Sequence, residues 1–227
     1  MTGKRAQPGA LLFDFDGLIL DTESATYEAV VDIFAAHGLL VDLDWWHSIL
    51  GSADHVHWAD VLAEQYGRPI DRAALIAERE AMRLPQIEAL PAREGVVDLL
   101  DAAAAAGVPT AVASSSAANW VVPHLERLGL ADRFTVIVTR DDVDRGRTKP
   151  APDLFLIAAD RLGVDPAACV VVEDSPNGVA AGRAAGMAVV AVPGPMTAGL
   201  DLSAADLVVP SLAGVSLRRL GALAATV

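Results

Sequence analysis

Cysteine, lysine and long apolar runs are all scarce in this sequence. Its single cysteine, Cys169, excludes an internal disulfide and fits the reducing conditions of the cytoplasm. The segment around it, CVVVED, is typical of a buried strand. No apolar run approaches the ~18 residues of a membrane span, and the opening segment MTGKRAQPGA lacks the apolar stretch of a signal peptide. We therefore expect a cytoplasmic protein that does not contact a membrane.

Basic charge is also in short supply. The 227 residues carry a formal net charge of −13, and arginine supplies nearly all the positive charge because Lys4 and Lys149 are the only lysines. This acidic balance disfavours a nucleic-acid-binding surface, which needs basic patches. It leaves an anionic substrate open, because a bound cation can invert the local field. Hydrophobic residues make up 53% of the chain, enough for a full core, and the length fits one or two domains.

Short apolar runs alternate with helical patterns along most of the chain. The runs are continuous, which is typical of parallel strands that are covered on both faces. Glycines at the ends of the helical patterns suit helix stops. This order predicts an α/β fold with a doubly wound parallel sheet. The predicted strands are 10–15, 109–114, 134–138, 168–173 and 187–192, and the predicted helices are 95–106, 117–128, 152–162 and 176–185.

Residues 22–90 interrupt this alternation. They show helical periodicity and no convincing strand, so we expect a small all-α domain inserted after the first strand. The predicted domains are an α/β core, 1–21 plus 91–227, and a helical domain, 22–90. Helices within the insertion are predicted at 24–37, 43–50, 54–66 and 71–88.

Acids, a hydroxyl and a lysine lie at the ends of several predicted elements. In an open α/β sheet, ligands bind beyond the carboxyl ends of the strands, so these side chains should meet at one edge. Oxygen ligands of this kind suit Mg²⁺, which proteins hold with a few carboxylates together with substrate phosphate. The pattern therefore predicts a divalent cation beside a phosphate group. The residues are Asp14 and Asp16 after the first strand, Ser114 after the second, Glu173 and Asp174 after the fourth, and Lys149 before a helix.

Four segments, in this order, resemble the motifs of the haloacid dehalogenase-like superfamily: DFDGLILDTE, Ser114, Lys149 with KPAPD, and EDSPNG. The insertion between the first two resembles that superfamily's class I helical cap, and the likeness covers nearly the whole chain. It is nearest to the subgroup that contains bacterial sugar-phosphate phosphatases and β-phosphoglucomutases. The resemblance implies a Rossmann-like core, Mg²⁺ as cofactor and an aspartyl-phosphate intermediate.

The same resemblance implies a role for each motif residue. Asp14 is similar to the nucleophile that attacks phosphorus, and Asp16 to the general acid/base that protonates the leaving oxygen and then activates water. Ser114 and Lys149 would hold the phosphoryl oxygens. The implied metal ligands are Asp14, Asp174, the backbone carbonyl of Asp16 and, as a further ligand, Glu173.

Each segment, taken alone, also has a structural interpretation. A lone DxD can cap a turn, a serine run can cap a helix, and a single lysine can be a surface charge. The tryptophans of the insertion are expected mainly in its core. Three further polar residues are expected near the substrate: Glu23, which would shape the leaving-group site, and Ser116 and Asn119.

Departures from the subgroup's pattern favour a phosphatase over a mutase. β-Phosphoglucomutases carry a cap histidine ten residues after the acid/base aspartate, where this chain has Thr26. They also carry an arginine shortly after the position of Gly51, where the nearest match is Asp54. The lack of lysine in 22–90 excludes the Schiff-base chemistry of phosphonoacetaldehyde hydrolases. We expect a Mg²⁺-dependent phosphatase of small phosphorylated metabolites, chiefly sugar phosphates, that is a monomer or small homo-oligomer. The alternatives are a sugar-phosphate mutase and a non-catalytic metabolite-binding protein.

A movable lid suits this chemistry, because bulk water must stay away until the leaving group departs. The insertion enters at 20–23 and returns at 90–93, so two short neighbouring connections can act as hinges. We expect the insertion to move nearly as a rigid body over the site at Asp14.

Overall fold

A parallel sheet lies at the centre of the protein. The computed structural model describes residues 7–224, so Lys4 and the predicted core residues 1–6 and 225–227 lie outside the described part. The strands are β1 (Ala10–Phe13), β2 (Thr110–Ala113), β3 (Val136–Val138), β4 (Cys169–Glu173), β5 (Ala188–Ala191) and β6 (Leu207–Val208). Their order is β3-β2-β1-β4-β5-β6, and every neighbouring pair is parallel. The predicted doubly wound fold is confirmed.

Strand β1 shows why the strands appear as continuous apolar runs. Leu11 and Phe13 belong to one hydrophobic cluster, whereas Ala10 and Leu12 belong to a second. Successive side chains of a strand point to opposite faces, so the two clusters cover the two faces of the sheet. Leu12 lies opposite Val171 of β4, which belongs to the same cluster. Since neither face meets water, neither carries a polar repeat.

The insertion forms helices with a hydrophobic cluster of their own. They are α1 (Thr22–Ala36), α2 (Leu43–Ile49), α3 (Trp58–Tyr66) and α4 (Arg72–Ala89). Three of them begin after Asp21, Asp42 and Asp71, whose carboxylates accept hydrogen bonds from the first free backbone N–H groups. The prediction that α3 begins at residue 54 is wrong: the ring of His57 caps the helix by accepting a hydrogen bond from the backbone N–H of Ala59.

The core helices flank the sheet: α5 (Val96–Ala106), α6 (Ala118–Arg127), α7 (Asp153–Leu162), α8 (Pro176–Ala184) and α9 (Leu217–Ala224). The first four begin and end close to their predicted bounds. Strand β6 and helix α9 were not predicted. Strand β6 is only two residues long and partly exposed, and α9 is a short helix capped by Ser216, whose hydroxyl accepts a hydrogen bond from the backbone N–H of Arg219 at 3.3 Å. Within residues 7–224, none of the helices combines the length and the apolar character that crossing a membrane requires.

Two short connections join the insertion to the core, and they lie side by side. The backbone N–H of Arg93, on the returning connection, donates to the carbonyl of Ile19 on the entering one at 2.8 Å. The guanidinium of Arg127 in α6 donates to the carbonyl of Leu90 at 3.0 Å. These contacts hold both connections at one edge of the core.

At the opposite end, the loop after α2 is seated on the core. The side-chain amide of Asn177 donates to the carbonyl of Leu50 at 2.8 Å, and the hydroxyl of Ser115 donates to the carbonyl of Gly51 at 2.9 Å. Gly51 has φ +79°, and a Cβ there would collide with the side chain of Ser175. Only glycine therefore permits the insertion to close this tightly against the core.

Candidate active site

Asp14 and Lys149 meet at the carboxyl edge of the sheet. Asp14 directly follows β1, and its backbone N–H donates to the carbonyl of Val172 in β4 at 3.0 Å. The Lys149 ammonium donates to Asp14 Oδ1 and, at 2.6 Å, to Glu173 Oε1. Lys149 and Glu173 are fully buried, and Asp14 is 4% exposed. The structure thus brings together three of the residues that the strand-end pattern predicted.

Both carboxylate oxygens of Glu173 are engaged. Oε1 accepts from Lys149, and Oε2 accepts from the backbone N–H groups of Asp174 and Ser175 and from the Ser175 hydroxyl, at 2.9–3.0 Å. The Ser175 hydroxyl also accepts from the backbone N–H of Gly178 and so caps α8. Through these hydrogen bonds, Glu173 connects the ammonium group of Lys149 to the turn between β4 and α8 and so orients it.

The buried acids outnumber the buried lysine. Burial raises the pKa of Asp14 well above its usual range, Lys149 opposes this shift, and the charge of Glu173 adds to it. Burial likewise raises the pKa of Asp174, with further contributions from Glu173 and Asp14. For Lys149, burial alone would lower the pKa, but Asp14 and Glu173 outweigh it and raise the pKa above the usual lysine value. Three buried carboxyl groups thus share one buried ammonium group, and this excess of acid favours the binding of a further cation.

The same acids are spaced for a metal ion. Asp14, Glu173 and Asp174 each offer a carboxylate oxygen, and these oxygens lie within 4.8 Å of one another. An all-oxygen donor set of this kind fits a hard divalent cation such as Mg²⁺. Gly17 allows the group to close, because its φ is +79° and a Cβ there would collide with the carboxylate of Asp174.

Asp16 points into a network of hydrogen-bond donors. Oδ1 accepts from the hydroxyl of Thr22 and from the indole N–H of Trp120, each at 2.8 Å. Oδ2 accepts from the hydroxyls of Ser116 at 2.6 Å and Ser114 at 3.4 Å. These donors come from the start of α1, from the segment that follows β2 and from α6, and together they hold Asp16 in the orientation that the structure shows.

The remaining predicted residues lie around the same cavity. Ser114 is 1% exposed at the end of β2, where its backbone N–H donates to the carbonyl of Val138. Ser116 binds Asp16, and its backbone N–H donates to the Ser114 hydroxyl at 3.0 Å. Asn119 lines the cavity from the first turn of α6. The roles of these residues stay predictions.

A cavity of about 720 Å³ separates the core from the insertion. We call its core side the floor and its insertion side the roof. The floor comprises Asp14, Asp16 and Ser114, backed by Lys149, Glu173 and Asp174. The roof comprises Glu23, Trp46, Trp58, Arg79 and Arg83.

Glu23 lies in the roof beside the acid/base candidate of the floor. Burial, reinforced by the charge of Asp16, raises the pKa of Glu23 to about 8, although Arg83 and Arg79 oppose the shift. A carboxyl with this pKa is mostly protonated at neutral pH, so it can donate a hydrogen bond into the cavity. The role of Glu23 at the leaving group stays a prediction.

The two roof arginines were missed by sequence reasoning. Arg83 donates from Nε and Nη2 to Glu80 Oε2 at 3.1 and 2.8 Å, and Arg79 also donates to Glu80. Arg83 donates further to the Thr26 hydroxyl at 3.2 Å. Charges at this spacing are typical of a solvated helix face. Only the packing of α4 against α1 shows that they face the cavity.

Trp120 was missed as well. It is 104 residues from Asp16 along the chain, and no local pattern announces their hydrogen bond. The sequence pattern predicts that its neighbour Asn119 contacts the substrate. It therefore indicates the right segment, but not the residue that binds Asp16.

Asp54, which occupies the region of the mutase arginine, lies outside the cavity lining. Its carboxylate accepts from the backbone N–H of Gly146 at 2.9 Å and from the backbone and hydroxyl of Thr148 at 3.1 and 2.5 Å. These hydrogen bonds lower the pKa of Asp54. Asp54 therefore fastens the insertion to the loop that carries Lys149.

Comparisons with known proteins agree with this geometry. The model of the family described as haloacid dehalogenase-like hydrolase matches residues 8–186. The protein YhcW of Bacillus subtilis (strain 168) is 42% identical over 208 residues, which cover 92% of this chain and 94% of YhcW. The fructose-1-phosphate phosphatase YqaB of Escherichia coli (strain K12) is 37% identical over 183 residues, 78% of this chain and 92% of YqaB. The crystal structure of a β-phosphoglucomutase from Clostridium difficile is similar with a TM-score of 0.73 at 25% identity, covering 92% of this chain and 93% of that one.

Proposed function

Because the chain belongs to the haloacid dehalogenase-like hydrolase family, we propose that it is a Mg²⁺-dependent phosphatase of sugar phosphates that works through an aspartyl-phosphate on Asp14. Its likeness to relatives that are named phosphatases makes it an enzyme, a phosphoric monoester hydrolase. The observation that carries the proposal is the contact of Lys149 with Asp14 inside a group of three buried carboxylates. A cytoplasmic location and a monomeric or small homo-oligomeric state stay predictions.

In the first step, a carboxylate oxygen of Asp14 forms a bond to phosphorus as the bond to the leaving oxygen breaks. Lys149 offsets negative charge on the phosphoryl oxygens, and the hydroxyl of Ser114 donates to one of them. Asp14 and Asp174, with the carbonyl of Asp16 and with Glu173 as a further ligand, would hold Mg²⁺. Bound there, the ion supplies positive charge that stabilises ionised carboxylates and phosphoryl oxygens.

Asp16 handles the protons of both steps. It gives a proton to the leaving oxygen and then takes one from a water molecule, whose oxygen attacks phosphorus. That attack breaks the bond between Asp14 and phosphorus and releases inorganic phosphate. The hydrogen bonds from Ser116, Thr22 and Trp120 support this role because they hold Asp16 in the floor of the cavity, close to Asp14.

The insertion, residues 22–90, acts in this proposal as a cap that excludes water. The adjacent connections at Ile19 and Arg93 supply the pivot, and the seam at Leu50 and Gly51 closes the far side. A nearly rigid rotation about the pivot would admit the substrate and release the product.

The roof suits a leaving group rich in hydroxyls. Arg79 and Arg83 both pair with the single carboxylate of Glu80, so part of their hydrogen-bonding capacity is used within the insertion. Protonated Glu23 and the aromatic rings of the roof suit hydroxyls and the apolar face of a sugar ring. The name of the relative YqaB, a fructose-1-phosphate phosphatase, supports the same class of substrate.

A sugar-phosphate mutase is the second candidate, favoured by the structural likeness to a β-phosphoglucomutase. Thr26, bound to Arg83, and Asp54, bound to Thr148, count against it because mutases are expected to carry histidine and arginine there. Incubation with β-glucose 1-phosphate and a bisphosphate activator should give little glucose 6-phosphate. Efficient conversion without release of phosphate would replace the phosphatase proposal with the mutase.

A screen over phosphorylated metabolites tests the main proposal. The purified protein with Mg²⁺ should release phosphate from one or more sugar phosphates, EDTA should stop the release, and added Mg²⁺ should restore it. The Asp14→Asn variant should fold normally and lose at least about a thousandfold in kcat, which also controls for contaminating phosphatases. Release by the variant at the wild-type rate would show that Asp14 is not the nucleophile.

A further inference from the structure

The indole of Trp120 touches both the floor and the roof of the cavity. From the first turn of α6 in the core, its N–H donates to Asp16 Oδ1 at 2.8 Å. The guanidinium carbon of Arg83, on α4 of the insertion, lies 4.2 Å from the centre of a Trp120 ring. His124 packs edge-on against the indole with ring centres 4.3 Å apart. The tryptophan is therefore held between a reacting carboxylate and the moving part of the enzyme.

Arg83 is presented to the indole by the insertion itself. Its guanidinium is paired with Glu80 and donates to Thr26, and both of these residues belong to the insertion. Arg83 is only 9% exposed, so its attraction to the aromatic face is weakly screened by water. If the insertion rotates away, this guanidinium leaves with it, and the outer face of the indole is left uncovered.

We propose that Trp120 is a positioning residue through which closure of the insertion fixes Asp16 for proton transfer to the leaving group. The proposal rests on the proposed role of Asp16. Closure stacks Arg83 on Trp120, which limits rotation of the indole and aims its N–H at Oδ1. Opening releases the indole, so Asp16 is correctly oriented only while the cavity is shut around the substrate. Proton transfer is thereby confined to the closed state.

Arg79 is a roof arginine whose ring contact does not cross from the insertion to the core. It sits on the same helix and also pairs with Glu80, but its guanidinium lies 5.4 Å from the ring centre of Trp58. Arg79 and Trp58 both belong to the insertion, so their contact persists whether the insertion is open or closed. Arg79 is thus the matched control for Arg83.

The test compares two substrates in Trp120→Phe. The variant keeps an aromatic face for Arg83 and removes the N–H donor. A sugar phosphate needs a proton on its leaving oxygen, whereas 4-nitrophenolate departs without one. We expect kcat/KM to fall about tenfold for the sugar phosphate and at most about twofold for 4-nitrophenyl phosphate. Trp45→Phe, which removes an indole of the insertion outside the cavity lining, should match wild type on both.

Arg83→Met and Arg79→Met complete the test and do not depend on the stability of Trp120→Phe. Arg83→Met should show the same selective loss on the sugar phosphate, and Trp120→Phe/Arg83→Met should lose no more than the larger single variant. Arg79→Met, whose contacts stay within the insertion, should add its loss to that of Trp120→Phe in the double variant Trp120→Phe/Arg79→Met. Equal losses on both substrates in Trp120→Phe or Arg83→Met, or additive losses in Trp120→Phe/Arg83→Met, would overturn the proposal. If wild type releases no phosphate from any substrate, it is the proposed function that fails.

Discussion

The charged groups in the floor and in the roof of the cavity differ in how deeply they are buried. In the floor, Lys149 and Glu173 are fully buried and locked to Asp14, so each charge depends on another. In the roof, the side chains of Arg83 and Glu80 are 11% and 29% exposed and pair with each other on one helix. A substitution in the floor leaves a buried charge without its partner. A substitution in the roof leaves a charge that water can reach. This difference supports the proposal that the floor carries the chemistry and the roof selects the substrate.

Removal of the floor lysine should have the largest effect. Lys149→Met leaves Asp14, Glu173 and Asp174 buried together without their cation. Loss of one partner of a buried ion pair costs about 3–5 kcal/mol in the free energy of unfolding, and kcat should fall at least about a hundredfold. Urea unfolding and phosphate release measure the two effects.

The roof supplies the control for that variant. Arg79→Met breaks an ion pair that is partly exposed, so its cost in unfolding free energy should stay below about 1 kcal/mol. Equal destabilisation by the two variants would remove the contrast between floor and roof.

Glu23→Ala should change substrate preference. Glu23 lines the cavity and is proposed to face the leaving group, so its removal should alter kcat/KM about tenfold for some sugar phosphates and much less for others. Thermal stability should change little, because the Glu23 side chain borders the cavity and makes no hydrogen bond to another side chain among the described contacts. Kinetics on several sugar phosphates decide the matter. Unchanged kcat/KM for all of them, with a large drop in Tm, would make Glu23 purely structural.

Glu23→Gln should change how stability depends on pH. The folded pKa of Glu23 is about 8, above its usual value of 4.5, so the folded protein binds an extra proton between these values. The contribution of Glu23 to stability is therefore fully present below about pH 4.5 and is lost as pH rises through 8. Because Glu23 borders the cavity, we expect the variant to gain only about 1 kcal/mol over wild type between pH 5 and 8. A constant difference across unfolding curves at these pH values would contradict the shift.

Asp54→Ala should have the smallest effect. The carboxylate is exposed and ties the roof to the loop before Lys149, so its loss should loosen closure without touching the floor. We expect KM to rise about twofold and kcat to stay within about twofold. Val56→Ala, a change at an exposed side chain of the same loop that lies outside the cavity lining, serves as the control. A loss of kcat as large as that of Lys149→Met would place Asp54 in the floor.

The floor could be predicted from the sequence because parallel strands deliver their end residues to one edge. Asp14, Ser114 and Asp174 follow apolar runs that are easy to recognise. Because the strands are parallel neighbours, these residues lie at the same edge of the sheet. The roof could not be predicted from the sequence, because Arg79 and Arg83 have the spacing of charges on an ordinary exposed helix face. Their place above the floor depends on how α4 packs against α1, and that packing leaves no local signature.

Trp120 marks the limit of such reasoning. Its hydrogen bond to Asp16 joins β1 to α6, and its stacking on Arg83 joins core to insertion. Contacts of this kind arise from the closed position of the insertion. Likewise, the start of α3 depended on the loop that seats on the core, and a helical pattern alone placed it too early.

The most direct test of the account is to trap the phosphoryl group on Asp14. In Asp16→Asn with Mg²⁺, 4-nitrophenyl phosphate should still phosphorylate the enzyme, because 4-nitrophenolate needs no proton, but hydrolysis should be slow without the base. We predict a burst of 4-nitrophenol equal to the enzyme concentration. After an acid quench, mass spectrometry should find one phosphoryl group, on the peptide that contains Asp14. A burst without a covalent phosphoryl group, or a phosphoryl group on Ser114 or Ser116 instead, would contradict the account.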